Sequence, residues 1–309
     1  MSTVLVKALS LVAIIAIGQA IKRAGWVGAH HFPLFSRIVL RITLPCALVA
    51  SFNAVEITTG LFVLILIGVV VNALQQGAGL ILGRKGGRPA QAFAVLNIGS
   101  YNMGAFATPY LAGFMGPHAI VYASMFDVGN SLQAAGVGYG TATALVHQGP
   151  RAGVVGFLRR MFSSVIFDVY LALVVMRLLQ WQVPESLLYL VTTIGNANTF
   201  LAMLMIGIGL ELRLTPAKYR AAAKLLGTRY AFAVLFTLVT VFVLPLSGEI
   251  RTVLCMVYFA PIAAMTSGFT SETGGDVELS TFMTGVSILV AIIAMPVIGL
   301  AGPLLGLTG

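Results

Sequence analysis

Apolar runs of membrane-spanning length follow one another along almost the whole chain, separated by short connections. A helix that crosses the hydrocarbon core of a bilayer, ~30 Å thick, needs about 20 predominantly apolar residues. The short alternating segments that indicate an outer-membrane barrel are not seen in the sequence. The sequence therefore predicts an all-α integral membrane protein with ten transmembrane helices. The predicted spans are residues 3–21, 34–54, 59–82, 90–115, 118–146, 161–180, 186–211, 222–246, 250–271 and 279–304.

The composition agrees with this prediction, because 59% of the residues are hydrophobic and only 9% are charged. Soluble domains contain roughly 25% charged residues, so this chain has too little polar surface for a water-soluble body. The net charge of +9 comes from basic residues in short connections, where they set orientation in the bilayer and do not indicate nucleic-acid binding. Cys46 and Cys255 lie in apolar segments and predict neither a disulfide nor a zinc site.

The basic residues alternate from one connection to the next. All but three of the 18 Lys and Arg residues lie in the first, third, fifth and seventh connections, and the positive-inside rule places such connections in the cytoplasm. We therefore expect a multi-pass membrane protein with both termini outside. The basic residues assigned to these connections are Lys22, Arg23, Arg37, Arg41, Arg84, Lys85, Arg88, Arg151, Arg159, Arg160, Arg213, Lys218, Arg220, Lys224 and Arg229.

The ten predicted spans favour a division into two halves of five, residues 1–148 and 149–309, because the most basic loops are central ones. An odd number of spans in each half makes the second half run in the opposite direction, as in the inverted repeats of many secondary transporters. A weak internal similarity agrees with this arrangement. FDVGNSL (126–132) and FMTGVSI (282–288) share Phe, Gly and Ser at the same offsets, in the fifth span of each half.

Spans 4 and 9 contain residues that interrupt helices near their centres. Proline removes a backbone donor and clashes with the preceding turn, and glycine permits unusual dihedral angles. One alternative is a pair of ordinary proline kinks. Matching interruptions in corresponding spans are instead typical of a transporter site, where free N–H groups hold an anion and free carbonyls hold a cation. The interrupting residues are Asn102, Gly104 and Pro109 in span 4, and Pro261, Thr266, Ser267 and Gly268 in span 9.

Five segments give the chain a resemblance to a known family. They are ITLPCALVASF (42–52), YNMGAFATPYL (101–111), FDVGN (126–130), LAMLMIGIGLEL (201–212) and APIAAMTSGFTSETGGDVELSTFMTGVSILVAIIAMP (260–296). On these segments the sequence resembles the auxin efflux carrier family, which includes proposed malate and malonate carriers and is related to plant PIN-type auxin carriers. That family in turn resembles the bile-acid sodium symporter fold.

The resemblance implies a scaffold domain from spans 1, 2, 6 and 7 and a transport domain from spans 3–5 and 8–10. It also implies that spans 4 and 9 cross at unwound centres, with Asn102 at the first crossover and Pro261 at the second. Related carriers move the transport domain against the scaffold, as an elevator, and tend to be homodimers. We therefore expect the same movement and assembly for this chain, in a bacterial-type inner membrane.

Candidate substrate-binding residues cluster at the two interruptions and in span 5. They are Tyr101, Asn102, Gly104, Asn130, Pro261, Met265, Thr266 and Ser267. Asp127, a carboxylate in span 5, is the candidate for binding a coupling H⁺ or Na⁺, because intramembrane carboxylates are costly and mark function. The alternatives are a structural carboxylate that pins span 5 to a broken helix, and, for Asn130, a hydrogen bond between helices.

Other polar residues have simpler explanations. Asp168 is expected to pair with Arg159 or Arg160 at the membrane edge. Asn196 and Asn198 are expected to cap or pack a helix. We expect no metal site and no cofactor beyond a possible coupling ion.

The predicted function is secondary active transport of a small organic anion by alternating access. Monocarboxylates, dicarboxylates such as malate or malonate, and indole-type acids are all compatible with it. A passive channel is one alternative. An intramembrane aspartyl protease using Asp127 and Asp168 is another, but its GxGD motif is missing from both spans, so we do not expect an enzyme.

Overall fold

A computed structural model describes residues 2–54, 59–146, 165–179, 181, 183–210 and 212–302. Within these ranges all regular structure is helical, as the apolar runs predict. The α-helices are α1 Ser2–Arg23, α2 Phe32–Ile38, α3 Leu44–Ala54, α4 Phe62–Gly83, α5 Gly87–Ile98, α6 Thr108–Met115, α7 Pro117–Ser131, α8 Tyr139–Val146, α9 Val165–Leu178, α10 Glu185–Asn196, α11 Asn198–Gly209, α12 Tyr219–Phe242, α13 Gly248–Tyr258, α14 Thr266–Glu272 and α15 Val277–Ala301.

Five helical stretches among the described residues are long and apolar enough to cross a membrane, which supports a multi-pass membrane protein. The count of ten spans and the inverted relation between halves stay predictions. The five stretches are Phe32–Asn53, Phe62–Gly113, Glu185–Gly209, Pro216–Phe242 and Val277–Ala301.

Helix α4 shows how such a chain divides its surface. Phe62, Leu66, Val70 and Leu74 are exposed, and their spacing of four residues places them on one face of the helix. The opposite face is buried although it carries amides, including Gln75 and Gln76. An exposed apolar face with polar groups inside suits a lipid environment, where unsatisfied polar groups are expensive.

Three short π-helical turns interrupt otherwise regular helices. Val39–Thr43 precedes α3, Met103–Ala107 precedes α6, and Leu132–Gly138 joins α7 to α8. The first turn lies just before Pro45, which has no N–H to donate to the carbonyl four residues earlier. A π turn is a common way to absorb such a lost bond.

Several pairs of helices pack closely against each other. Helix α1 packs along α11, with Gly18 against Gly207, and α10 packs on α3. Helix α4 packs on α5 and α7, and α13 packs on α12 and α15. The division into a scaffold domain and a transport domain stays a prediction.

Both predicted interruptions are present as gaps between helices. Helix α5 ends at Ile98 and helical structure resumes at Met103, whereas α13 ends at Tyr258 and α14 begins at Thr266. The two gaps touch, because the N–H of Asn102 donates to the carbonyl oxygen of Pro261 at 2.8 Å. We call residues 99–102 the first break and residues 259–265 the second break.

Some residues that were expected to interrupt helices lie beyond the breaks. Pro109 stands in the first turn of α6, directly after the π turn, and has no N–H to donate to that turn. Thr266, Ser267 and Gly268 begin α14. The assignment of Arg229 to a connection is wrong, because Arg229 lies within α12 and is fully buried. It contributes nothing to the orientation argument.

Candidate functional site

The first break is held by a side chain of α7. Asn130 Nδ2 donates to the carbonyl oxygen of Tyr101, and Asn130 Oδ1 accepts from the N–H of Tyr101, both at 3.0 Å. Nδ2 also donates to Asp127 Oδ1 at 2.8 Å. Gln76 of α4 donates to the carbonyl oxygen of Gly99 at 3.2 Å. Backbone groups that the interrupted helix leaves free are thus paired with buried amides, as membrane burial requires.

The second break is held by a hydroxyl of α15. The N–H of Ile262 donates to Ser287 Oγ at 2.9 Å, and that hydroxyl donates to the carbonyl oxygen of Thr284 at 2.7 Å. Ser287 is the residue that the proposed internal repeat matches to Ser131 in α7. The fifth predicted span of each half therefore supports the break of its own half.

A single cation joins the two breaks. Arg229 Nη1 donates to the carbonyl oxygen of Ile98 at 2.6 Å, and Nη2 donates to that of Ala260 at 2.9 Å. Its guanidinium carbon lies 4.5 Å from the centroid of the Tyr101 ring, a cation–π distance. Sequence reasoning missed this residue, although its position eight residues into an apolar span marks it as an intramembrane charge.

A cavity of about 300 Å³ lies beside the crossover. Its lining comes from the breaks and the start of α14, from α2 and α11 on one side, and from α15 on the other. Most of the lining is apolar, with a few polar side chains, which is the usual character of a small-molecule pocket. The polar side chains that line it are those of Asn102, Ser267, Thr281 and Thr284.

Two of the predicted site residues line this cavity, Asn102 and Ser267. Asn102 precedes the first turn of the helical segment Met103–Met115. Its side-chain amide makes no hydrogen bond to any residue that the structure describes. The amide is therefore available to a ligand at the start of a helix, where backbone N–H groups carry partial positive charge.

The other predicted residues lie behind or beside the cavity. Tyr101, Asp127 and Asn130 are buried in the support of the first break. Pro261 contributes its carbonyl oxygen to Asn102, and Thr266 shares a hydrogen bond with Ser100 at 3.0 Å.

Met265 and Gly104 lie outside the lining of the cavity. Met265 is 51% exposed and borders a separate gap of about 10 Å³. Gly104 is partly exposed in the π turn that follows the first break.

A second, larger cavity of about 490 Å³ lies near the opposite end of α11. It is bordered by the C-terminal half of α3, the end of α10, the start of α11, and the junction of α6 and α7. Asn198, at the start of α11, lines this cavity, whereas Gly209, at its end, lines the first one. At 1.5 Å per residue the two positions are ~16 Å apart along the helix axis.

The remaining polar candidates divide between structural contacts and the second cavity. Asn198 is buried and accepts a hydrogen bond from Thr43 Oγ1 at 2.9 Å, which joins α11 to the π turn before α3. It makes no cap, because the residue before α11 is Ala197. Asn196 lines the second cavity. Asp168 is exposed in α9, and its expected partners Arg159 and Arg160 lie outside the described residues.

Part of the chain matches the model of a known protein family. The model of the Sodium Bile acid symporter family matches residues 198–301, about a third of the chain, and no curated protein matches it. The matched region contains α11, α12, the second break and α15, and with them Arg229, Ser287 and most of the lining of the first cavity. The match supports the bile-acid symporter fold and a transporter over an enzyme, and it leaves membership of the auxin efflux carrier family a prediction.

Proposed function

We propose that the protein is a secondary active transporter of a small organic anion, which binds in the cavity beside the crossover. The observation that carries this proposal is the side-chain amide of Asn102, which has no hydrogen-bond partner among the described residues and faces a mostly apolar cavity at the start of a helical segment. A carboxylate placed there accepts hydrogen bonds from the amide and from free backbone N–H groups, while the organic part contacts apolar walls.

The charges near the cavity favour an anion over a cation. Arg229 has no carboxylate partner among the described residues, and it lies against the ring of Tyr101, next to Asn102 in the chain. Among the residues that the structure describes, those that line the cavity carry no charge. A buried cation without a counter-ion makes its surroundings positive, and low polarity strengthens that effect. Monocarboxylates, dicarboxylates and indole-type acids remain the substrate classes proposed.

The two cavities suggest how the anion crosses the membrane. Both cavities border the continuous stretch Phe32–Asn53, which contains α2 and α3, and helix α11. The second cavity lies at the end of α3 and the start of α11, and the first lies at Phe32 and the end of α11. An elevator movement of the crossover along these helices would expose the substrate site first to one side and then to the other. We further propose a homodimer in a bacterial-type inner membrane, with both termini outside.

Asp127 is proposed as the group that couples transport to an ion gradient. It is the only buried carboxylate among the described residues. Its hydrogen bond to Asn130 connects it to the backbone of the first break. Gain or loss of its charge would alter that connection and hence the geometry of the site.

The test is uptake of labelled organic acids into proteoliposomes under imposed proton or sodium gradients. Saturable uptake of at least one acid is expected, and Asn102→Ala should reduce its kcat/KM at least about ten-fold, the equivalent of 1.4 kcal/mol. The matched control is Thr193→Ala, an exposed position on α10, which should transport normally.

Asp127→Asn adds a test of coupling, because it removes the charge of the side chain. The amide oxygen of the variant can still accept the hydrogen bond from Asn130. The substitution should preserve folding and remove the response to the gradient. Unchanged transport in both Asn102→Ala and Asp127→Asn would reject the site. A single-channel current far above carrier turnover would show a pore.

A further inference from the structure

The carbonyl oxygens at the crossover carry partial negative charge, and we asked which positive group balances that charge. In carriers with broken helices, unwound carbonyls and the C-terminal ends of half-helices coordinate the coupling cation. Here those groups are the carbonyl of Ile98, where α5 ends, and that of Ala260, two residues after the end of α13. Each carries the partial negative charge expected of an unpaired helix end.

Both of these carbonyls are already bound by one guanidinium group. Arg229 donates to Ile98 at 2.6 Å and to Ala260 at 2.9 Å, from two different nitrogens. Its side chain is fully buried and has no carboxylate partner in the part of the chain that the structure describes. The charge is therefore balanced by carbonyl dipoles and the Tyr101 ring, which are the kinds of group that would surround a bound metal cation.

Neighbouring carbonyls in the breaks have donors of their own. The carbonyl of Gly99 accepts from Gln76, that of Tyr101 from Asn130, and that of Pro261 from the N–H of Asn102. Each of these carbonyls would have to give up a protein hydrogen bond before it could coordinate a metal ion. Displacing Arg229 as well would leave a charged group without partners in a buried place, which is costly.

We propose that Arg229 is a tethered cation that takes the place of a coupling metal ion at the crossover, so that transport runs without Na⁺. The forked guanidinium suits this role because its separate nitrogens reach two carbonyls at once, whereas the ammonium of lysine is a point charge. Since α12 packs against both α13 and α5, the cation stays with the breaks if they move together. This inference rests on the proposed transport of an anion at the same crossover.

The first experiment needs no variant. Uptake by the wild-type protein is compared in proteoliposomes with Na⁺ on both sides and with Na⁺ replaced by choline. Equal initial rates are expected. A rate that rises with Na⁺ along a saturation curve would overturn the inference. Absence of any uptake would instead count against the proposed function.

A second experiment reads the cation site without transport. Arg229→Ala removes the bridge between Ile98 and Ala260, so its melting temperature in detergent should fall. Millimolar guanidinium chloride should raise that temperature again, because free guanidinium can enter the vacated space, whereas tetramethylammonium chloride should not. Guanidinium should not stabilise the wild-type protein. The control is Arg220→Ala, an exposed arginine on the same helix, which should melt like the wild type.

Arg229→Lys keeps the experiment informative if Arg229→Ala does not fold. Lysine retains the charge but not the forked geometry, so the melting temperature of the variant should lie below that of the wild type. Its uptake should fall at least about ten-fold, an effect of 1.4 kcal/mol. The remaining uptake should still need no Na⁺. Wild-type stability and uptake in Arg229→Lys and Arg229→Ala would overturn the inference. So would stabilisation of the wild-type protein by Na⁺ but not by choline.

Discussion

The two breaks perform the same task with different side chains. In the first, Asn130 pairs with both the N–H and the carbonyl of Tyr101 and is itself held by Asp127. In the second, Ser287 accepts one hydrogen bond, from Ile262. The matched segments place Val286 opposite Asn130 and Met283 opposite Asp127, so these two positions of the second half carry neither an amide nor a carboxylate.

This difference shows that an opened backbone needs partners but does not fix which residues supply them. The first break uses polar residues from its own half, including Gln76 of α4. The second break receives a charged donor from α12 through Arg229, which also serves the first break. The buried amides that support the crossover therefore come from the first half, whereas the second half supplies the hydroxyl of Ser287 and the shared cation of Arg229.

The largest effect is expected for Asn130→Ala. The substitution removes three hydrogen bonds, of which two are the ones that Asn130 makes with the N–H and the carbonyl of Tyr101. At roughly 0.6–1.7 kcal/mol for each hydrogen bond inside a membrane protein, the free energy of unfolding should fall by about 2–5 kcal/mol. Titration with SDS in mixed micelles measures this change. A loss no larger than that of Ser287→Ala would show that the two breaks are equally supported.

A smaller effect is expected for Ser287→Ala. The N–H of Ile262 loses its acceptor, while Arg229 still binds the neighbouring carbonyl of Ala260. The free energy of unfolding in the same SDS titration should fall by about 1 kcal/mol. Amide hydrogen exchange, read by mass spectrometry, should become faster in residues 259–265 and stay unchanged in residues 99–102. Faster exchange in both breaks alike would mean that they open as one unit.

The smallest effect is expected for Ser131→Ala, at the position matched to Ser287. Ser131 Oγ lies 3.4 Å from Asp127 Oδ1, a long hydrogen bond, and Asn130 already binds that oxygen. The free energy of unfolding should change by no more than about 0.6 kcal/mol. If Ser131→Ala destabilised the protein as much as Ser287→Ala, the two matched serines would be equivalent, and the difference between the breaks would lie elsewhere.

Much of the candidate site's position could be predicted from sequence, but few of the hydrogen bonds that hold it could be. Asn102 and Pro261 were expected at the crossover, and their backbones meet there. Asn102 and Ser267 both border the cavity. Thr281 and Thr284, which also line it, were not anticipated, because hydroxyls on apolar helices are common and give no sign of the face they occupy. Arg229 was placed in a connection because a count by connection does not detect burial.

By itself, the sequence determined that the described chain is helical and suited to a membrane, and roughly where two helices open. Those properties depend on local composition, since apolar runs dictate burial in lipid and proline and glycine limit the backbone within a few residues. Only the tertiary structure decided which side chains serve the opened backbone. Arg229 and the carbonyl it binds at Ile98 are 131 positions apart, and such a contact follows from helix packing, which residue spacing along the chain does not encode.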